Sequence, residues 1–338
     1  MSRNFGYALA VPLAALDQGG NGSSLAIDTV SWAHLAAYLD TVARLPAGFG
    51  EGQPEIGAAI AQVRREVQRF GTPQQARLLL RDQPRGAPGA LPAAPYVGLI
   101  AWIGHLHESA ASVVQILQRA VDSPNAVADV KQRLQSLSQI SAAVMAQILP
   151  LKETLGSSKA MLLGANRALS QAGAESGGLL QRTQEAVGAM QVQVASLEAH
   201  IANLGMLEAY KKPAMMQRLL TLKASLDVRR ALAEQLRLQH GAIEAILKHG
   251  AWLDAALDDT AGFLERSRSA WSAFGSGAAQ LGADATPEEL ADKALMEQRL
   301  DRDKAIVQWS ALDQAAKLFA VQALADTPDG VLRKGYGK

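Results

Sequence analysis

PAMMQRLLTLKASLDVRRALAEQLRLQHGAIEAILKHGAWLDAALDDTAGFLERSRSAWSAF, from Pro213 to Phe274, has no proline after its first residue and only three glycines, Gly241, Gly250 and Gly262. Read as one helix, it would run about 90 Å at roughly 1.5 Å per residue, wider than a compact domain of this size. A seam stepped alternately by three and four runs through it: Leu219, Leu222, Leu226, Arg229, Ala233, Leu236, His240, Ile243, Leu247, Gly250, Asp254, Leu257, Ala261, Leu264, Arg268 and Trp271. Eleven of those sixteen positions are apolar, so the helix is expected to bury one stripe along most of its length. Leu220, Leu232, Leu238, Ile246, Leu253 and Phe263 flank the seam and widen the stripe beyond what a two-stranded coil buries. The rest of the chain must supply several neighbours.

Upstream, Pro124 to Leu149 carries Val127, Val130, Leu134, Leu137, Ile140, Val144 and Ile148 at helical spacing, and Pro150 is expected to kink or end that helix. Between Leu151 and Leu180 charge is sparse and small residues abound. The run Gly173 to Gly178 reads as the tip of a helical hairpin with arms from Leu151 to Ala172 and from Leu179 to Leu204. Downstream, Gly275-Ser276-Gly277 is expected to close the long helix. Thr286-Pro287-Glu288-Glu289 then opens a last helix reaching about Leu324, with Ile306, Trp309, Leu312, Ala316, Phe319 and Ala323 on one side.

Nearer the amino terminus, Asp28 to Leu45 reads as a helix with Val30, Leu35, Leu39 and Val42 inward. Pro54 to Phe70 forms a second, and Thr72 caps a third short helix through Leu80. Gln83 to Pro95, with four prolines and two glycines, is the clearest linker, and Tyr96 to Val121 is helical again.

Composition agrees. The 338 residues are 49% hydrophobic but only 5% aromatic, and alanine and leucine carry the apolar load. That balance favours helices over strands and predicts an all-α fold. Thirty-three Lys and Arg against 32 Asp and Glu leave a formal charge of +1, which gives no footprint for nucleic acid. The absence of cysteine removes disulfides, thiolate metal sites and cysteine nucleophiles. No apolar run approaches the roughly twenty residues of a membrane span, and the apolar stretch from Tyr7 to Leu16 is broken by Pro12 with no clean cleavage site after it.

Motifs for chemistry are wanting. His105 and His107 lie two apart on a helix and so face different ways, which does not suit a shared metal. Neither a phosphate-binding glycine loop nor a G-x-S-x-G elbow is present, and the adjacent acids Asp258-Asp259 and Glu288-Glu289 do not converge. The reading is a non-enzyme with no cofactor and no metal site. One region stands out, the methionine-rich, weakly charged segment from Leu151 to Met216. Its side chains either fill a core or meet lipid or a partner when a conformational change exposes them. The residues that would form such a contacting surface are Met161, Leu162, Leu163, Leu169, Leu179, Leu180, Met206, Leu207, Tyr210, Met215 and Met216.

With its closing helix Ile306 to Phe319, the long helix Pro213 to Phe274 and a glycine-broken hairpin between long helices, the chain resembles the α-helical pore-forming toxins, among them the B subunits of xenorhabdolysin-type binary cytotoxins. The resemblance covers about Tyr96 to Leu324. It implies an elongated bundle of long antiparallel helices with a tail, a coiled-coil neck and a helical-hairpin head. Residues 1–95 and 286–324 would form the tail, 96–150 tail and neck, 151–216 the head and 217–275 the long neck helix. It further implies a chain secreted without a cleavable signal peptide, soluble before assembly, that joins a second, A-type toxin subunit on a target-cell lipid membrane and permeabilises it. Lys152, Glu153, Lys159, Arg167, Glu175 and Arg182 lie in the expected head and favour a partner-dependent role. A soluble coiled-coil scaffold without membrane activity is the other reading. Arg229, His240, Gly250, Asp254 and Arg268 weaken the seam as a permanent coil, so it is expected to repack on assembly.

Overall fold

The computed structural model describes residues 25, 27–50, 53–81, 91–122, 127–205, 210–291 and 302–323. Among them every regular element is an α-helix and none is a strand. In chain order these are α1 (Thr29–Ala43), α2 (Pro54–Phe70), α3 (Pro73–Arg81), α4 (Pro95–Asp122), α5 (Val127–Ala202), α6 (Lys212–Gly250), α7 (Leu253–Asp284), α8 (Pro287–Ala291) and α9 (Arg302–Ala323).

Three expectations are corrected. The long stretch is two helices, because Ala251 and Trp252 form a turn between α6 and α7. The expected hairpin tip does not exist: α5 runs unbroken for 76 residues through Pro150 and through Gly173 to Gly178. Two of its glycines, Gly173 and Gly177, are packing positions. A Cβ on Gly173 would lie 2.9 Å from Ile243 Cγ2, and one on Gly177 3.0 Å from the His240 ring, so α6 approaches as closely as it does only because no Cβ is there. Gly275 and Gly277 do not end α7 either, which continues to Asp284, and Gly275 is a packing position of the same kind. A Cβ on Gly275 would meet Ser141 Cβ at 2.7 Å.

By internal packing the chain divides into two compact units. The first comprises residues 1–43, 65–163 and 251–338. In it α4 and α9 pack along one another, and α1 lies against α7 and α3. Its core is aromatic. Trp32 stacks on Tyr96 with centroids 5.0 Å apart, and Trp309 sits 4.7 Å from both Trp271 and Phe274. Trp271 and Trp309 are almost fully buried. The first half of α5 lies antiparallel to α7: the Ser141 hydroxyl donates to the Trp271 carbonyl at 2.5 Å, and Lys152 Nζ meets Glu265 Oε2 at 2.6 Å.

The caps form as their residue types demand. The Thr72 and Thr286 hydroxyls each accept the N–H three residues on, from Gln75 and Glu289, whose side chains accept the threonine N–H in return; these are reciprocal capping boxes. Asp28 caps α1 through the N–H groups of Val30 and Ser31. Burial alone would raise its carboxyl, but the Ser31 and Val30 hydrogen bonds hold it below its ordinary value. Val30, expected inward, is exposed in this first turn. Of the expected last helix, residues 292–301 and Leu324 lie outside the described residues, as does the linker from Gln83 to Ala90.

The second unit comprises residues 44–64 and 164–250. Arg64 holds the loop before α2, donating to the carbonyls of Leu45 at 2.8 Å and of Pro46. The later part of α5 and all of α6 lie antiparallel. Asn166 faces Gly250, Gly173 faces Ile243 and Gly177 faces His240. Further on, Lys223 Nζ meets Glu198 Oε1 at 2.6 Å. Gln53, just before α2, donates to Gln239 Oε1 at 3.1 Å.

Candidate functional site

The seam read from the sequence is the line α6 buries against α5. Leu219, Leu226, Leu236, Ile243 and Gly250 are buried, and Leu222, Ala233, His240 and Leu247 half-buried. In α7, Leu257, Leu264 and Trp271 continue it inside the first unit. The polar seam positions find other uses. Asp254 pairs with Lys159 at 2.7 Å, Arg268 with Glu265 at 2.8 Å, and Gly250 makes room for Asn166.

The flanking leucines divide sharply. Ile246, Leu253 and Phe263 are fully buried, as expected. Leu220 and Leu238, by contrast, are 63% and 60% exposed, and Leu232 is 44% exposed. The reason is the narrow core beyond about Thr183. There Val194, Ile201, Leu219 and Leu226 form a cluster edged by Val187, Met190, Leu197, Met215 and Leu222, all supplied by α5 and α6. A two-stranded contact buries one seam per helix and leaves the rest of each helix in water.

What those outer faces carry is unusual for water-facing helix. On α6 the positions Gln217, Thr221, Ala224, Val228, Ala231, Gln235 and Leu238 repeat at steps of four and three, all are exposed, and none is charged. Leu220 and Leu232 lie beside them, and Val228 is 71% exposed. On the later part of α5 an equivalent outer line runs through Gln181, Glu185, Gly188, Val192, Ala195, Ala199 and Ala202. Glu185 is its single charge, and Gly188 is its only half-buried member, the others being exposed. Both helices thus carry a second 4-3 seam besides the one they share. The exposed apolar residues of this surface, Leu220, Val228, Leu232, Leu238 and Val192, were not among the residues expected to make contact. The signal was present as a second repeat out of phase with the first.

The expected contact residues scatter. Leu162 and Leu169 are buried core side chains in this state. Leu163, Leu180 and Met215 are half-buried; Met161, Leu179, Tyr210 and Met216 are exposed. Met161, Leu162 and Leu163 belong to the first unit and the others to the second. Met206 and Leu207 lie outside the described residues.

His105 Nδ1 lies 3.3 Å from Gln147 Oε1, whereas His107 meets Asp313 on α9, so the two rings have different neighbours. Among the described residues no three His, Asp or Glu side chains are placed to hold a metal, and no helix is long and apolar enough to cross a membrane.

No family model matches the sequence, and no curated protein matches it. Solved structures do. A triple head mutant of soluble AhlC, from the tripartite α-pore-forming toxin AHL of Aeromonas hydrophila, is 15% identical, covers 85% of this chain and 98% of its own, and aligns at a TM-score of 0.48. The chain is similar to components of α-pore-forming toxins. The HblL1 toxin component of Bacillus cereus is 12% identical over 93% of this chain and 98% of its own, with a TM-score of 0.41. The SmhB pore of the tripartite toxin Smh from Serratia marcescens is 13% identical over 90% and 98%, with a TM-score of 0.27.

Proposed function

We propose that this chain is a non-enzymatic subunit of an α-helical pore-forming toxin, one that assembles with a partner subunit on a target membrane and permeabilises it. One observation carries the reading: along and beside an uncharged row of α6, the folded chain leaves Leu220, Val228, Leu232 and Leu238 in water. Large apolar side chains left exposed together on one helix mark a protein or membrane contact. The contacting end is then the pairing of the later α5 with the early α6, in place of the segment 151–216 taken by itself. Because no described helix is apolar enough to span a bilayer alone, the partner subunit supplies what the chain lacks. The chain is exported in soluble form and meets the membrane afterwards.

A soluble scaffold is favoured by one feature, the two outer 4-3 seams, which need only other helices to bury them. The two readings separate in one experiment. The purified chain is added to dye-loaded vesicles, alone and with each helical protein encoded beside it, and the same mixtures are floated on a density gradient. Dye release with a partner, and the chain in the lipid fraction, is the expected result. A chain that stays in the soluble fraction under every pairing, with no release, overturns the toxin reading.

A further inference from the structure

We propose that the outer seam of α6 docks on the outer seam of α5 of a second copy of this chain, so that copies associate face to back. This rests on surface chemistry and not on the pore-forming reading. The two seams differ in size. α6 presents the large side chains Leu220, Val228, Leu232 and Leu238, whereas the outer line of α5 is mostly Gly188, Ala195, Ala199 and Ala202. Knobs on one and shallow holes on the other suit helix packing across the pair better than either suits itself.

They differ in charge as well. From residue 212 to 238 the α6 segment carries Lys212, Arg218, Lys223, Arg229, Arg230 and Arg237 against Asp227 and Glu234. From residue 181 to 205 the α5 segment carries Arg182 against Glu185 and Glu198, with Glu198 paired to Lys223 of its own chain. Two α6 faces brought together oppose two net basic segments, six Lys and Arg against two acids on each. The unlike pairing opposes a basic flank to an acidic one, and electrostatic complementarity of that sort sets partner and register. A contact between two different patches of one chain is heterologous, and it repeats into a ring or an open stack according to whether the rotation closes. A repeat by rotation keeps equal heights together. Lys223 and Glu198 share a height within one copy, so Ala224 of one copy meets Ala195 of the next.

The test uses the full chain, which has no cysteine of its own. Ala195→Cys and Ala224→Cys proteins, both altered at exposed small positions, are mixed and oxidised in buffer and on phosphatidylcholine vesicles. The mixed 195–224 disulfide is expected to exceed either homodimer several-fold in at least one of the two conditions. Adding Val228→Glu to the Ala224→Cys protein, which sets an acid against an acidic face at a position already in water, is expected to abolish it. Dominant 195–195 or 224–224 disulfides overturn the face-to-back geometry. Equal yields of all three, or no cross-link in either condition, overturn the docking itself, including the case where the chain binds vesicles as a monomer. Dye release is not read, so this outcome is distinct from failure of the proposed function.

Discussion

Replacing Gly275 by alanine tests the antiparallel contact of α5 and α7 inside the first unit. An exposed helix interior gains about 1 kcal/mol from this change, because alanine loses less backbone entropy. At Gly275 the new Cβ would lie 2.5 Å from Ser141 Oγ and 2.7 Å from Ser141 Cβ. The second distance decides the sign. A Cβ moves only with its backbone, so the helices must separate, and overpacking of this sort costs about 1–3 kcal/mol. The buried Ser141 hydroxyl also donates to the Trp271 carbonyl, and displacing it forfeits about 1 kcal/mol. The expected net is a destabilisation of about 1–3 kcal/mol. Gly241, also helical but with nothing within 4 Å of its would-be Cβ, serves as the control, where alanine is expected to stabilise by about 1 kcal/mol. Urea unfolding followed by circular dichroism reads both, and Ser141→Gly should rescue Gly275→Ala by removing the atoms it strikes. If Gly275→Ala unfolds at the same urea concentration as the parent or a higher one, the close approach of the two helices is refuted.

Four further outcomes are expected. The Arg268 guanidinium, then Lys152, hold the Glu265 carboxyl down to about 2 from its ordinary 4.5; its contribution to stability is present above 4.5 and is lost as pH falls toward 2, so Glu265→Gln should flatten that acid limb in thermal melts. The Glu55 carboxylate beside Glu175 raises the Glu175 carboxyl above 4.5. Stability from that pair is present below 4.5 and lost as pH rises through the raised value, so Glu175→Gln should raise the melting temperature at pH 7 and leave it unchanged at pH 4. Trp309→Ala, which empties the contact with Trp271 and Phe274, should cost about 3–5 kcal/mol in denaturant unfolding. In the narrow core of α5 and α6, Leu226→Ala should cost about 2–5 kcal/mol, whereas Leu220→Ala, 63% exposed, should stay within about 0.5 kcal/mol; equal losses at the two positions in hydrogen exchange would contradict the assigned faces.

The helices and their caps were legible because their causes are local. Thr72 with Gln75 and Thr286 with Glu289 satisfy N–H groups within one turn, and the seam from Leu219 to Trp271 needs only its own period. What misled were glycines. Gly173, Gly177 and Gly275 read as helix breakers, since glycine weakens a helix interior by about 1 kcal/mol. They stand where Ile243, His240 and Ser141 press in from another helix, and residues so far apart in number leave no trace in local composition. The turn at Ala251 and Trp252 was hidden for the same reason: the Trp252 ring stacks on His34 at 4.8 Å, a partner from the other end of the chain. The candidate surface was half legible. Leu220, Leu232 and Leu238 were recognised as excess apolar surface, but burial was assumed where only two helices meet.

The placing of the aromatic side chains has a practical side. All five tryptophans, Trp32, Trp102, Trp252, Trp271 and Trp309, belong to the first unit. Intrinsic emission excited at the indole band therefore reports chiefly on that unit, with Trp252 at the turn after α6, and no indole lies on the pairing of the later α5 with the early α6 that carries the exposed row. A melt followed by this glow could report an intact protein while the pairing of the later α5 with the early α6 had already come apart, and an indole installed at Val192 or Val228 would give the silent part a voice of its own.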